Sequence, residues 1–256
     1  MSKLEIVLVP CLSDNYAYLV HDRETGLCAV VDPSEEAPVS AALQKHGWTL
    51  THILNTHHHW DHTGGNARLK EKTGAKVVGP DNDRERIPAI DIGVSETVPL
   101  VWGTRKVRVL EIPAHTKSHI AFVFDEDKAA FTGDTLFAMG CGRLFEGSPA
   151  MMWQSLSKLM TLPDDMRIYC GHEYTLSNAR FAVTLEPGNK ALQARLKDVE
   201  TTRAKGEPTI PSNMGIEKQT NPFLRANSPE IRKVLGLEVA SDADVFAEVR
   251  RRKDNF

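Results

Sequence analysis

THHHWDHTGG, residues 56–65, packs four histidines and an aspartate between His57 and His62 and closes on two glycines. The run follows LTHILNT, a β-like segment, so it sits at the C-terminal end of a strand, where open α/β sheets place their sites. His57 and His59 are two apart and share one side of an extended backbone. His58 is out of phase and should point away. Asp61 and His62 follow as the chain turns into a helix, and Gly64-Gly65 permit a tight turn with close backbone approach. Imidazole with carboxylate suits Zn²⁺ or Fe rather than Ca²⁺ or Mg²⁺. The spacing is not the helical one in which two histidine ligands lie one turn apart.

One segment cannot wrap four ligands around a single ion without strain, so two ions with further ligands are expected. Other strand ends offer them. IPAHTKSH carries His115 and His119, FTGDTLF carries Asp134, and YCGHEYT carries His172. His119 opens the strand HIAFVF and reads as structural or supporting. Asp32, in VVDPS, reads as a turn former that can also orient a ligand. His21, His46 and His52 carry no such pattern and read as ordinary histidines.

Outward from this run, short β-like segments continue on both sides: LEIVLVP, YAYLVHD and LCAVVDP before it, AKVVGP, TVPLV, RKVRVLEIP, IAFVFD, KAAFTGD and MRIYC after it. Helical stretches fall between them. SEEAPVSAALQKHG has Ser34 as its candidate cap, and GGNARLKEKTG and SPAMMWQSLSKLMTL read similarly. This is a layered α/β protein, sheets inside and helices outside. After Gly171 the pattern becomes helical, in EYTLSNARFAVTLEP and NKALQARLKDVETTRAKG, interrupted at Pro187-Gly188. EPTIPSNMGIEKQTNPF reads as a proline-bearing loop. SPEIRKVLG and SDADVFAEVRRRKDNF each open on a serine cap signal. Two domains are expected, 1–172 and 173–256.

The 256 residues, 41% hydrophobic, are enough for such a core, and a net charge of −3 argues against a nucleic-acid partner. The N-terminal stretch does not read as a signal peptide, and no apolar run is long enough to span a membrane. The four cysteines are scattered without a CxxC pair, which points to a reduced, cytoplasmic setting with buried thiols. Cys141 lacks a partnered base and reads as a packing residue. A monomer is expected.

T-H-x-H-x-D-H, here Thr56 to His62, resembles the signature of the metallo-β-lactamase superfamily, and His115, Asp134 and His172 follow in that superfamily's order. PCLSDNYAYLV, DHTGGN, FTGDTLFAMGCGRLFEG, GHEYTLSNARFA, EPGN, NPFLR and the terminal RRRKDNF narrow the resemblance to the glyoxalase II (hydroxyacylglutathione hydrolase) family. It implies an αββα sandwich with a smaller, all-helical C-terminal domain that helps hold glutathione. It implies two divalent metal ions, Zn before Fe or Mn. His57, His59 and His115 would hold one, and Asp61, His62 and His172 the other. Asp134 would bridge them, with Asp61 and Asp134 the carboxylates of the catalytic centre.

The implied activity is hydrolysis of S-D-lactoylglutathione and related 2-hydroxyacylglutathiones to glutathione and D-lactate by a hydroxide between the metals. This is the second step of methylglyoxal detoxification. The family's substrate contacts fall on Arg143, Leu144, Phe145, Tyr174, Arg250 and Lys253. Arg250 and Lys253, three apart on a helix, share a face and are matched to the glycine carboxylate, leaving Arg251 and Arg252 as a solvated helix end. Many relatives have Lys at position 143 and Tyr at 145, so the sequence departs from the family there.

The nearest rival is a mononuclear iron persulfide dioxygenase of the same superfamily. The complete ligand set and the basic C-terminus speak against it. A β-lactamase, an RNA-processing nuclease and a binding module merely braced by metal are weaker alternatives. They lack, respectively, an export signal, a broad basic surface and the sulfur-rich closed site of structural zinc.

Overall fold

The computed structural model describes residues 4–256. The chain forms two compact units. One runs to Glu111 and takes in Ser118–Gly133; the other comprises Ile112–Lys117 and Asp134–Phe256.

The first unit is built on two sheets. Strands β1 (Leu4–Cys11), β2 (Asn15–Asp22), β3 (Cys28–Val31), β4 (His52–Leu54), β5 (Lys76–Pro80) and β6 (Ile92–Val94) follow one another in chain order across the first. β1 to β3 are antiparallel and β3 to β6 parallel. The parallel centre explains the unalternated apolar runs CAVV and HIL: strands covered on both faces need hydrophobic side chains on both. Helices α1 (Glu36–His46) and α3 (Asn66–Thr73) supply two crossovers, with the single turn α2 (Trp60–Thr63) between them. Val39, Leu43 and Leu69 from the helices pack with Val9, Ala17, Leu19, Val30, Ile53 and Val77 from the sheet.

Strands β7 (Leu100–Trp102), β8 (Arg105–Glu111), β9 (Ile120–Phe124) and β10 (Ala129–Gly133) are antiparallel neighbours in the second sheet. The two sheets meet through side chains of this unit. The Tyr18 and Phe131 ring centroids are 5.5 Å apart. Trp102 Nε1–H donates to His52 Nδ1 at 3.2 Å, which gives the half-buried His52 a structural role.

The second unit carries short pairs β11 (Leu136–Phe137) with β12 (Gly140–Cys141) and β13 (Arg167–Cys170) with β14 (Ser212–Asn213). Its helices are α4 (Pro149–Leu159), α5 (Thr175–Leu185), α6 (Lys190–Ala204), α7 (Met214–Thr220), α8 (Pro229–Leu235) and α9 (Asp242–Asp254). Met139, Ala179, Ala182, Leu192 and Val199 form one apolar cluster. Phe223 packs against both Phe181 and Phe246 in another. Among the described residues, no helix is long and apolar enough to cross a membrane.

Two local expectations need correction. Ser34 does not cap α1: the N-cap position is Glu35 and no side chain bonds there. By contrast Ser148, Ser228 and Ser241 accept from Met151, Ile231 and Asp244 N–H as expected. The segment read as a proline-bearing loop contains β14 and α7. Asn213, whose side chain accepts from Ile216 N–H, starts that helix inside a stretch dominated by prolines and polar residues.

Candidate metal centre

In the first unit the histidine run leaves the end of β4. Asp32, just past β3 with φ of +48°, grips it. Thr56 N–H donates to Asp32 Oδ1 at 2.8 Å and Thr56 Oγ1–H to Asp32 Oδ2 at 2.6 Å. Because the threonine hydroxyl gives its proton to the carboxylate, it accepts from His57 Nδ1–H, 3.0 Å away. The His57 tautomer is thereby fixed, with Nε2 left as an acceptor. His62 Nδ1 lies 3.2 Å from Asp32 Oδ2, so the same carboxylate turns His62 Nε2 outward. Asp32 thus orients two imidazoles, His57 through Thr56 and His62 directly.

His57 Nε2 lies 3.1 Å from His59 Nδ1. An acceptor nitrogen aimed at a second imidazole nitrogen can take the His59 Nδ1 proton or a cation held by both rings. Asp61 Oδ2 is 3.7 Å from His62 Nε2. His58 turns away, as its phase required, with Nδ1 3.0 Å from Asp83 and Nε2 3.2 Å from Arg86. His119 is buried and stacks on His57, centroids 4.6 Å apart. His21 and His46 lie against Trp48.

Gly64 and Gly65 have ordinary helical torsions. They are needed for space: a Cβ on Gly64 would lie 2.5 Å from Ser34 O and one on Gly65 2.9 Å from Pro33 O. Asn55, which the sequence reading missed, donates to His62 O at 3.0 Å and pairs with Asn66. A lone asparagine after a strand carries no signal that would have singled it out.

The second unit, taken by itself, holds the remaining candidate residues. His115 Nδ1–H donates to Arg143 O at 2.9 Å, again leaving Nε2 as the acceptor. That Nε2 is 3.4 Å from Asp134 Oδ2, and His172 Nε2 is 3.2 Å from the same oxygen. One carboxylate oxygen therefore sits between two imidazoles, all three residues buried. Gly142 allows this: a Cβ there would lie 1.9 Å from Asp134 O and 3.0 Å from His115 Nδ1. The donor set, imidazole and carboxylate with buried supports and no sulfur, fits a divalent transition metal.

The expected substrate contacts lie in this unit too. Phe145, 61% exposed, has its ring 5.2 Å from that of His115. Arg143 is exposed and Leu144 half-buried. Tyr174 stacks on His172 at 4.7 Å and 4°. Arg250 is buried, donates to Cys141 O at 2.9 Å, pairs with Asp254 at 2.8 Å and lies over the Phe223 ring. Lys253 Nζ is 3.1 Å from Ser177 Oγ and faces the Phe181 and Phe256 rings. Burial, helped by the Arg250 charge, lowers its pKa to about 8. Arg251 and Arg252 pair with Glu248 as a solvated helix end. All four cysteines are buried and none is in a disulfide. Burial raises the Cys141 thiol to about 11, consistent with packing and unsuited to a nucleophile.

Residues 13–172 match the model of the metallo-beta-lactamase superfamily, and residues 173–256 match that of the hydroxyacylglutathione hydrolase C-terminus. The hydroxyacylglutathione hydrolase of Rhizobium meliloti is 54% identical over 256 residues, 100% of each chain. That of Methylococcus capsulatus is 53% identical over 253 residues, 99% of each. Among solved structures, ETHE1 from Myxococcus xanthus has a TM-score of 0.66 at 26% identity, covering 98% of this chain and 97% of its own. The BLEG-1 B3 metallo-beta-lactamase, at 19% identity and a TM-score of 0.67 over 86% of this chain and 100% of its own, shares the fold. The αββα class with helices behind it thus stands, and the two family models that divide the chain make it a member of the hydroxyacylglutathione hydrolase (glyoxalase II) family of the metallo-β-lactamase superfamily.

Proposed function

We propose that the protein hydrolyses S-D-lactoylglutathione and related 2-hydroxyacylglutathiones to D-lactate and glutathione, the second step of methylglyoxal detoxification. The observation that carries this reading is Asp134 Oδ2 between His115 Nε2 and His172 Nε2. A buried anion flanked by two outward-facing imidazole nitrogens suits a hydrolytic metal centre.

In this reading His57, His59 and His115 hold one divalent ion, Asp61, His62 and His172 a second, and Asp134 serves both. Zn is the first expectation, with Fe or Mn as alternatives. Metal bound there supplies a lowered pKa for water, from ~15.7 to about 7, and polarisation of the thioester carbonyl. The chain's own residues do the rest. Asp32 and Arg143 O hold the imidazole tautomers. Phe145 and Tyr174 present aromatic faces to the tripeptide, and Leu144 adds apolar contact. The thiolate is stable enough to leave without a general acid. We take residues 173–256, with Arg250 and Lys253, as the domain that holds the glycine carboxylate, and 1–172 as the catalytic domain. The four buried thiols favour a reducing, cytoplasmic setting, and we take the enzyme to be a monomer.

Elemental analysis of purified protein combined with thiol release from S-D-lactoylglutathione tests the reading. Two metal equivalents and robust release are expected. Oxygen uptake with glutathione persulfide and no thioesterase activity would replace it with the persulfide dioxygenase.

Two narrower results follow for the tripeptide site. Phe145→Tyr restores a hydroxyl worth about 0.5–1.5 kcal/mol as an uncharged hydrogen bond. KM for the glutathione thioester is expected to fall several-fold with kcat nearly unchanged; an unchanged KM would remove position 145 from glutathione recognition. Lys253 is cationic below its pKa of about 8 and neutral above it. Its carboxylate contact, charge-assisted and worth about 1.5–3 kcal/mol, is therefore lost as pH rises. KM should increase about tenfold between pH 7 and 9.5, and Lys253→Met should flatten that limb. A wild-type KM that stays level across this range would place the carboxylate elsewhere.

A further inference from the structure

The metal loop has a support on the strand side that neither its motif nor the family's ligand set predicts. The β1–β2 hairpin turns at Leu12 to Asp14, and two features fix it. Leu12 has φ of +48°, and its N–H donates to Glu35 Oε2 at 2.7 Å. Asn15, the first residue of β2, is paired with Cys11 across the turn and is 5% exposed. From that position its amide nitrogen reaches the metal loop. Asn15 Nδ2 donates to Asp61 O at 3.0 Å and to Asp61 Oδ2 at 3.1 Å.

Both acceptors are oxygens of one residue, so only the nitrogen end of the amide can face them. The two N–H bonds tie the Asp61 carboxylate to its own backbone and so fix its side-chain torsions. They also engage Oδ2, the oxygen 3.7 Å from His62 Nε2. Asp61 needs such a brace. It sits at the second position of the single-turn helix α2 with 23% of its side chain exposed, where an unsupported carboxylate samples several rotamers.

We infer that Asn15 is a positioning residue: it holds Asp61 in the orientation that binds the second metal ion. This rests on the two-metal reading above and assigns a role to a residue of the β1–β2 hairpin. The purely structural alternative is that Asn15 only anchors the first turn of α2 through Asp61 O.

Zinc binding separates the two. Apo-protein is titrated with zinc against a chromophoric chelator, and apo-protein unfolding is followed by circular dichroism. Asn15→Leu keeps the branched heavy-atom skeleton and removes the donors; Asn15→Ala is the backup should the bulkier leucine disturb the hairpin. Removing a group that orients a metal ligand typically weakens binding by about 10–100-fold. One zinc equivalent should weaken by that factor while the other keeps wild-type affinity, with apo unfolding nearly unchanged. Two equivalents at wild-type affinity would overturn the inference. So would equal weakening of both with a large drop in apo stability, the signature of a structural anchor. Wild-type protein that binds fewer than two equivalents would instead defeat the two-metal reading itself.

Discussion

Asp134→Ala is expected to abolish turnover, lowering kcat/KM for S-D-lactoylglutathione by roughly three orders of magnitude or more. That corresponds to about 4 kcal/mol of transition-state stabilisation at 1.36 kcal/mol per tenfold. His115 and His172 each have an imidazole nitrogen within 3.4 Å of Asp134 Oδ2. Alanine removes the anion between them and leaves both imidazoles without the charge that draws a cation in. Metal content should therefore fall together with activity, from two equivalents toward one or none. Asp134→Asn keeps the shape and one carbonyl oxygen but loses the charge, and should lie close to alanine in activity. Measured metal content, kcat/KM and apo unfolding together give the answer. Activity within tenfold of wild type at normal metal loading would mean that Asp134 is not shared by the two proposed sites.

Much of this site was legible because its chemistry is written in neighbouring positions. His57, His59, Asp61 and His62 lie in one hexapeptide after an apolar strand, and the phase of an extended backbone already turns His58 aside. His115, Asp134 and His172 were legible as strand-end residues, but their convergence was not, since nothing in the spacing of three distant segments encodes a meeting point. That assignment came from the family resemblance. The supports were less visible still. Asn15 and Asn55 are ordinary residues near turns, and their partners are 46 and 7 positions away. A hydrogen bond across such a separation leaves no periodicity. The Ser34 cap failed for a related reason: the serine has the right chemistry, but the helix begins after Glu35, and Ser34 O instead lies against Gly64. The hidden helix α7 was masked by the composition around it, because proline and asparagine at its edges read as loop before they read as punctuation.

Glu217→Ala is expected to destabilise the apo-protein by about 3–5 kcal/mol, the usual cost of removing one partner from a buried ion pair. Glu217 is fully buried. Its Oε1 accepts from Arg195 at 2.5 Å and from the Ser212 hydroxyl. Its Oε2 accepts from Met139 N–H at 2.8 Å and Asn221 Nδ2 at 3.1 Å. Alanine would leave the Arg195 guanidinium without its carboxylate and the Met139 amide without an acceptor. Met139, with φ of +53°, forms the turn between β11 and β12, and Asn221 also donates to Phe137 O and Gly140 O on that turn. Asp134 lies just before this hairpin and Arg143 just after it, so the loss reaches beyond α7. At about 2–4 °C per kcal/mol for a protein of this size, the apo midpoint should fall by roughly 10 °C. Glu217→Gln retains volume and one acceptor, so it should lose less. Arg195→Met in the Glu217→Ala background should recover part of the loss, because it removes the stranded charge. A shift below about 1 kcal/mol in Glu217→Ala, or no recovery in the double variant, would show that water replaces the carboxylate and that the turn before Arg143 holds itself.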